Sequence, residues 1–215
     1  MRHPVLRFLL FICAASVPAY WLYLGVINAL GPDPGKVLVD NLGQGALVLL
    51  LGSLAMTPLQ KLTGWAGWAG WIAFRRQLGL WSFAYAVIHL FGYLYFLLGL
   101  DFGSFTTELI DRPYIAVGAV AFLGLLALAM TSTRWSMRKL GKRWKKLHRI
   151  IYPTLIVVLI HMLWVVRSDA GRWSLYTTIA VILLSIRLPA VQKRLVMLQA
   201  DWRGKNLSVK TENKR

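Results

Sequence analysis

Six apolar stretches follow one another along this chain of 215 residues, at about 8–30, 42–59, 78–100, 114–131, 149–166 and 174–188. A bilayer's hydrocarbon core is about 30 Å thick and takes about 20 apolar residues as a helix. Lipid cannot satisfy backbone polar groups, so each run has to bond its own N–H and C=O groups internally. The sequence therefore predicts an all-α integral membrane protein, a six-transmembrane-helix bundle. Composition agrees: 57% of residues are hydrophobic, 15% are charged and the mean hydropathy is +0.56. A soluble domain of this length needs a more polar surface.

The breaks between runs have their own chemistry. Gly31-Pro32-Asp33-Pro34-Gly35 ends the first run. A cleaved leader is the competing reading of that run, through the small residues around Val17-Pro18-Ala19. The apolar stretch continues from Tyr20 to Leu30, which favours a span. The connector 60–76 carries Trp65, Trp68 and Trp71, the pattern of an interfacial aromatic belt. Pro113 stands where a fourth helix would begin, a favourable place for proline. The single domain leaves only a basic tail over 189–215, too short to fold alone. No dinucleotide fingerprint or P-loop is present, so any chemistry has to occur within the bundle or at its faces.

A formal charge of +17 on a soluble chain would suggest nucleic acid. Here the basic residues gather at the ends of apolar runs, so anionic membrane lipids are the expected counter-charge and no nucleic acid is expected. With both termini cytoplasmic, 21 of the 25 Lys and Arg fall on the inner side and six of the eight acids on the outer. That bias sets the orientation and requires an even number of spans. The one cysteine, Cys13, lies in an apolar run and forms no intrachain disulfide or cysteine cluster.

Histidines carry the remaining signal. His3 sits at the N-terminal tip. The basic segment 134–149 runs into His148, and His161 follows 13 residues later inside the fifth apolar run. His89 lies 13 residues above Arg76 in the third. At 1.5 Å per residue, both intramembrane histidines lie about 20 Å from the basic boundary. Two imidazoles at matched depth on different helices are what an iron porphyrin needs for axial ligation from opposite faces. The plainer alternatives are core histidines bonded to a hydroxyl or carbonyl, or members of a proton relay. Acidic side chains are nearly absent from the spans, so a carboxylate-assisted metal site lacks ligands. On an ideal helix His148 and His161 face different ways, and Pro153 between them leaves that relation open. Arg75, 14 residues before His89 and near its face, suits either a haem propionate or a lipid phosphate.

Several segments together resemble a known family. Arg75-Arg76-Gln77-Leu78-Gly79-Leu80-Trp81 leads to Ile88-His89-Leu90-Phe91-Gly92-Tyr93, and Arg112-Pro113-Tyr114 opens a span ending in Met130-Thr131-Ser132-Thr133. Leu140-Gly141-Lys142-Arg143-Trp144-Lys145-Lys146-Leu147-His148-Arg149 then precedes Ile160-His161. From residue 5 to about 200 the chain resembles the MsrQ (formerly YedZ) family, within the wider ferric reductase and NADPH-oxidase transmembrane group.

The resemblance implies a b-type cytochrome of the bacterial inner membrane. It would be the electron-transfer subunit of a methionine sulfoxide reductase system, without a substrate-reducing site of its own. Electrons would pass to a periplasmic molybdopterin-containing partner, MsrP, which repairs oxidised periplasmic proteins. By motif, His89 and His161 match the outer haem pair and His148 one ligand of an inner haem. Arg75 stands where the wider group has the second inner histidine, so one or two haems are implied. FMN is implied by the family, with no residue assigned to it. The oxidase branch carries a flavin and nicotinamide domain after the last span. Here a short basic tail stands in its place, so quinol or a separate cytoplasmic flavin reductase is the expected donor. Two rival readings remain: a ferric or other metal reductase of the same fold, and a cofactor-free transporter or scaffold.

Overall fold

In a computed structural model the structure describes residues 4–63, 70–166, 170–192, 194 and 197, and its regular elements there are all helical. The elements are α1 (Pro4–Val26), α2 (Pro34–Thr63), α3 (Gly70–Gly92, prolonged by a π turn over Tyr93–Leu97), α4 (Phe102–Asp111) and α5 (Pro113–Met130). They continue with α6 (Arg134–Leu140), α7 (Lys142–Leu147), a 3₁₀ turn at His148–Ile150, α8 (Ile151–Val165) and α9 (Ala170–Ser185). Five segments among the described residues are long and apolar enough to cross a membrane: Pro4–Val26, Pro34–Gln60, Ala73–Leu97, Pro113–Met130 and Lys142–Val165. They overlap the first five expected spans. The sixth expected stretch folds as α9, whose 16 residues rise only about 24 Å.

The boundaries move for local reasons. α1 stops at Val26, and Asn28 at φ 54° turns the chain before the proline pair. The acidic segment after span three, expected as a loop, forms α4. Its cap is Asp101, whose carboxylate accepts from the N–H groups of Gly103 at 3.0 Å and Ser104 at 3.3 Å. Glu108 then pairs with Arg112 at 3.1 Å, one helical turn on. The basic segment 134–149, also expected as a loop, folds as the α6–α7 corner. Thr133 caps α6 by accepting from Ser136 N–H at 3.1 Å, and Gly141 reverses the chain at φ 50°. Trp144 ties α7 back to the end of α5 by donating to the Thr131 carbonyl at 2.9 Å. Trp65, Trp68, His3, the side chain of Trp71 and most of the tail lie outside the described residues.

α2 is the hub. Leu42, Leu47, Leu50 and Leu54 along it are almost wholly buried, whereas other apolar helices keep large side chains on their outer faces. Phe8, Phe11 and Leu22 on α1, Val120 and Leu123 on α5, and Val181 and Ile182 on α9 all point outward. Helices that are apolar all round belong in lipid. Two close helix pairs build the frame, α2 with α3 and α5 with α8. Small residues allow each approach. Ser82 on α3 donates to the Ala46 carbonyl of α2 at 2.8 Å, and Gly124 on α5 lies directly against Thr154 of α8. Tyr85 draws α1 in by donating to the Ala14 carbonyl at 2.7 Å, and Trp173 ties α9 to the Leu159 carbonyl at 2.9 Å.

Candidate functional site

The two intramembrane histidines meet. His89 on α3 and His161 on α8 have ring centroids 6.3 Å apart, with ring planes crossing at 84°. Residues 72 apart in sequence are neighbours because each histidine projects from its own helix pair toward the other.

Both are held in the same way. His89 Nδ1 donates to the Val39 carbonyl on α2 at 2.8 Å, and His161 Nδ1 donates to the Tyr114 carbonyl on α5 at 2.7 Å. A carbonyl only accepts, so each Nδ1 carries the proton and each Nε2 keeps its lone pair. Four residues beyond each carbonyl stands a glycine, Gly43 after Val39 and Gly118 after Tyr114. In a helix, the side chain at that position lies over the carbonyl's outer side. A Cβ on Gly43 would come to 3.0 Å from His89 Cε1 and Nδ1, and one on Gly118 to 2.8 and 2.9 Å from the same atoms of His161. Glycine therefore opens each helical carbonyl to a second donor while the N–H of the glycine remains in its helix.

This arrangement fits a metalloporphyrin. An imidazole nitrogen lies about 1.1 Å from its ring centre and binds a transition metal at about 2.0–2.1 Å, so two rings sharing one ion have centres about 6.2–6.4 Å apart. The observed separation falls in that interval. Each ring plane has only to contain the metal–nitrogen axis, so a crossing angle of 84° is tolerated. The donated Nδ1–H is the usual support of a metal-binding imidazole. A bare ion fits worse: the described residues contain no group of three or more His, Cys, Asp or Glu. A tetrapyrrole brings its own four nitrogens. Grooves of about 480 and 440 Å³ lie along α1, lined by residues such as Leu10, Cys13 and Leu78, and neither includes a histidine.

His148 stands apart from this pair. It occupies the 3₁₀ turn before α8, so the ideal-helix angle to His161 does not apply. Its ring stacks on Trp144 with centroids 3.9 Å apart, and its Nε2 lies 3.4 Å from Ser132 Oγ. Arg75 donates to Thr57 Oγ1 at 3.3 Å and lies within electrostatic reach of His148. A guanidinium stays protonated and has no lone pair for a metal, so Arg75 is not an axial ligand. The residues that sequence reasoning missed are Val39, Tyr114, Gly43 and Gly118. The signal the two acceptors share is a glycine four residues further on.

Comparison with known proteins agrees with this architecture. Residues 42–159, a segment running from α2 into α8 that contains His89 and ends two residues before His161, match the family described as ferric reductase like transmembrane component. The chain belongs to that class of multi-pass membrane proteins. Over 176 residues it is 41% identical to the protein-methionine-sulfoxide reductase heme-binding subunit MsrQ of Yersinia pseudotuberculosis serotype O:1b (strain IP 31758), covering 81% of this chain and 85% of that protein. Within the class, it is a member of the MsrQ family.

Proposed function

We propose that this protein is the haem b subunit of a methionine sulfoxide reductase system, relaying single electrons across the bacterial inner membrane to a periplasmic MsrP. The observation that carries the reading is the 6.3 Å separation of two histidine rings, each with its Nδ1–H given to a backbone carbonyl. His89 and His161 would hold the haem iron axially through Nε2. Bound haem supplies the one-electron couple of its iron. The protein's part is to keep both imidazoles neutral and fixed, and to keep water off the metal. Two axial histidines leave no open position, which favours electron transfer over oxygen chemistry.

The charge pattern supports six spans, α9 being the sixth, with both termini and the basic end of the bundle cytoplasmic. The His89–His161 site then lies nearer the periplasm, close to the acidic end that bears α4. Residues 101–112 and 167–173 are the segments available there for MsrP, of which 167–169 lie outside the described residues. His148 is a further ligand for a second haem, although no described histidine stands opposite it. Electrons would enter from quinol in the membrane or from a flavin reductase on the basic face, with FMN as the family's further cofactor.

The test is spectroscopic. Purified protein should show a low-spin b-type spectrum, and His89→Ala or His161→Ala should each remove the haem of this site. A variant lacking both imidazoles that keeps the full Soret band and haem content would end the assignment.

A further inference from the structure

At the basic end of the bundle two arginines, Arg75 on α3 and Arg187 after α9, are held against α2 and α8 with no acid beside them among the described residues. Arg187, two residues past α9, donates through Nη1 to the Tyr152 hydroxyl at 2.8 Å and through Nη2 to the Leu54 carbonyl at 2.5 Å. Its guanidinium carbon lies 5.4 Å from the centre of the Tyr152 ring. Its Nε is buried and has no hydrogen-bond partner among the described residues. Arg75 on α3 donates to Thr57 Oγ1 on α2 at 3.3 Å, one helical turn from the Leu54 carbonyl that holds Arg187, and the two arginines and Tyr152 are within electrostatic reach of one another. His148 Nδ1 is also buried, against the ring of Trp144.

Neither guanidinium can shed its proton. The described acids are Asp33, Asp40, Asp101, Glu108 and Asp111, all belonging to the opposite end of the spans. Two like charges anchored one helical turn apart along α2, at the edge of a low-dielectric bundle, repel each other, and an anion held by both would relieve that repulsion. Arg187 approaches such an anion already oriented, because two neutral acceptors fix its plane and take only two of its five N–H groups, the buried Nε–H being among those left over. Tyr152 accepts from Arg187, so its own O–H proton is free to donate. An Arg that only anchored the helix end in lipid headgroups would extend outward, whereas this one folds inward onto α2 and α8.

We propose that Arg187, Arg75 and Tyr152 form a binding site for an oxyanion, a carboxylate or phosphate group carried by a molecule lodged at the basic end of the bundle. Three sources offer that chemistry: a porphyrin carboxylate, a flavin phosphate and a phospholipid headgroup. The site is separate from the His89–His161 pair and stands on its own observations.

The experiment compares the full chain with R187Q and R75Q, each purified in detergent without added lipid. Haem is counted by pyridine haemochrome, flavin by fluorescence after acid release, and phospholipid by bound phosphorus, all per polypeptide. The expected result is at least a tenfold fall of one of the three in both variants. Loss of one haem equivalent with the low-spin bis-histidine spectrum kept identifies a porphyrin carboxylate. Loss of flavin identifies its phosphate, and loss of phosphorus a lipid headgroup. If all three are unchanged in R75Q, the proposal is overturned. R75Q decides alone where R187Q fails to fold, since Arg187 also braces the Leu54 carbonyl. Colourless wild-type protein would sink the His89–His161 reading and leave this site to be judged on flavin and phosphorus.

Discussion

Adding one methyl group at Gly118 should displace the histidine that it faces. The new Cβ would lie 2.8 Å from His161 Cε1 and 2.9 Å from Nδ1. Carbon atoms rest at about 3.5–4.0 Å, so ring and methyl have to separate by roughly 0.7 Å or more. The ring is hemmed in by α5 on one side and His89 on the other, so it moves away from the Tyr114 carbonyl. A 2.7 Å hydrogen bond stretched by that amount reaches about 3.4 Å, beyond the preferred span of such bonds, and is much weakened. The lost bond is worth about 0.5–1.5 kcal/mol and overpacking about 1–3 kcal/mol. Loss of a supporting partner behind a metal-bound imidazole typically weakens metal affinity by about 10–100-fold. G118A should therefore bind haem at least tenfold more weakly, read by titrating haemin into apoprotein, with part of the spectrum shifted to high spin. The control is G52A, whose Cβ would find nothing nearer than Leu78 Cδ1 at 3.8 Å. It should leave haem affinity within twofold. G118A with wild-type affinity and an unchanged low-spin spectrum would refute the claim that this glycine lets the ring reach its carbonyl.

Gly141→Ala should destabilise the α6–α7 corner by about 1–3 kcal/mol, because its φ of 50° with ψ −122° suits only glycine; faster amide exchange over 134–147 would report it. The Asp101 carboxyl is held below the usual carboxylate range by hydrogen bonds, chiefly from Ser104 and then from Gly103 N–H. A folded pKa below the unfolded one means that its stabilisation of α4 is complete above about pH 4 and fades as pH falls through the folded value. Exchange protection in α4 should accordingly decline at low pH in the wild type, whereas Asp101→Asn should flatten that dependence.

Much of the frame was legible because lipid leaves a helix few options. A long apolar run bounded by charge has to span, and counting 13 residues from a basic boundary gives depth without knowledge of neighbours. That arithmetic brought His89 and His161 to one level before any packing was known. The surface helices α4, α6 and α7 were not legible as helices, because charge there hides helical periodicity. Their caps, Asp101 and Thr133, were present in the sequence as N-cap residue types. Arg187 went unread for a different reason. An arginine just beyond an apolar run is ordinarily an interfacial anchor, and only the packing of α9 against α2 and α8 turns it inward.

The least legible feature is the most informative about function. Val39 and Tyr114 lie 50 and 47 residues from the histidines they receive, and nothing in their side chains marks them. What the two sites share is a relation: a carbonyl, a glycine one turn later, and a histidine from the next long helix in the chain. It occurs once in the α2–α3 pair and again in the α5–α8 pair. A histidine serving only the core needs one such acceptor and can find it anywhere. Two held by the same device, with both Nε2 atoms left over and their rings 6.3 Å apart, have been oriented for something between them. Burial alone does not require that repetition, and the proposed ligation of one haem iron by both rings accounts for it.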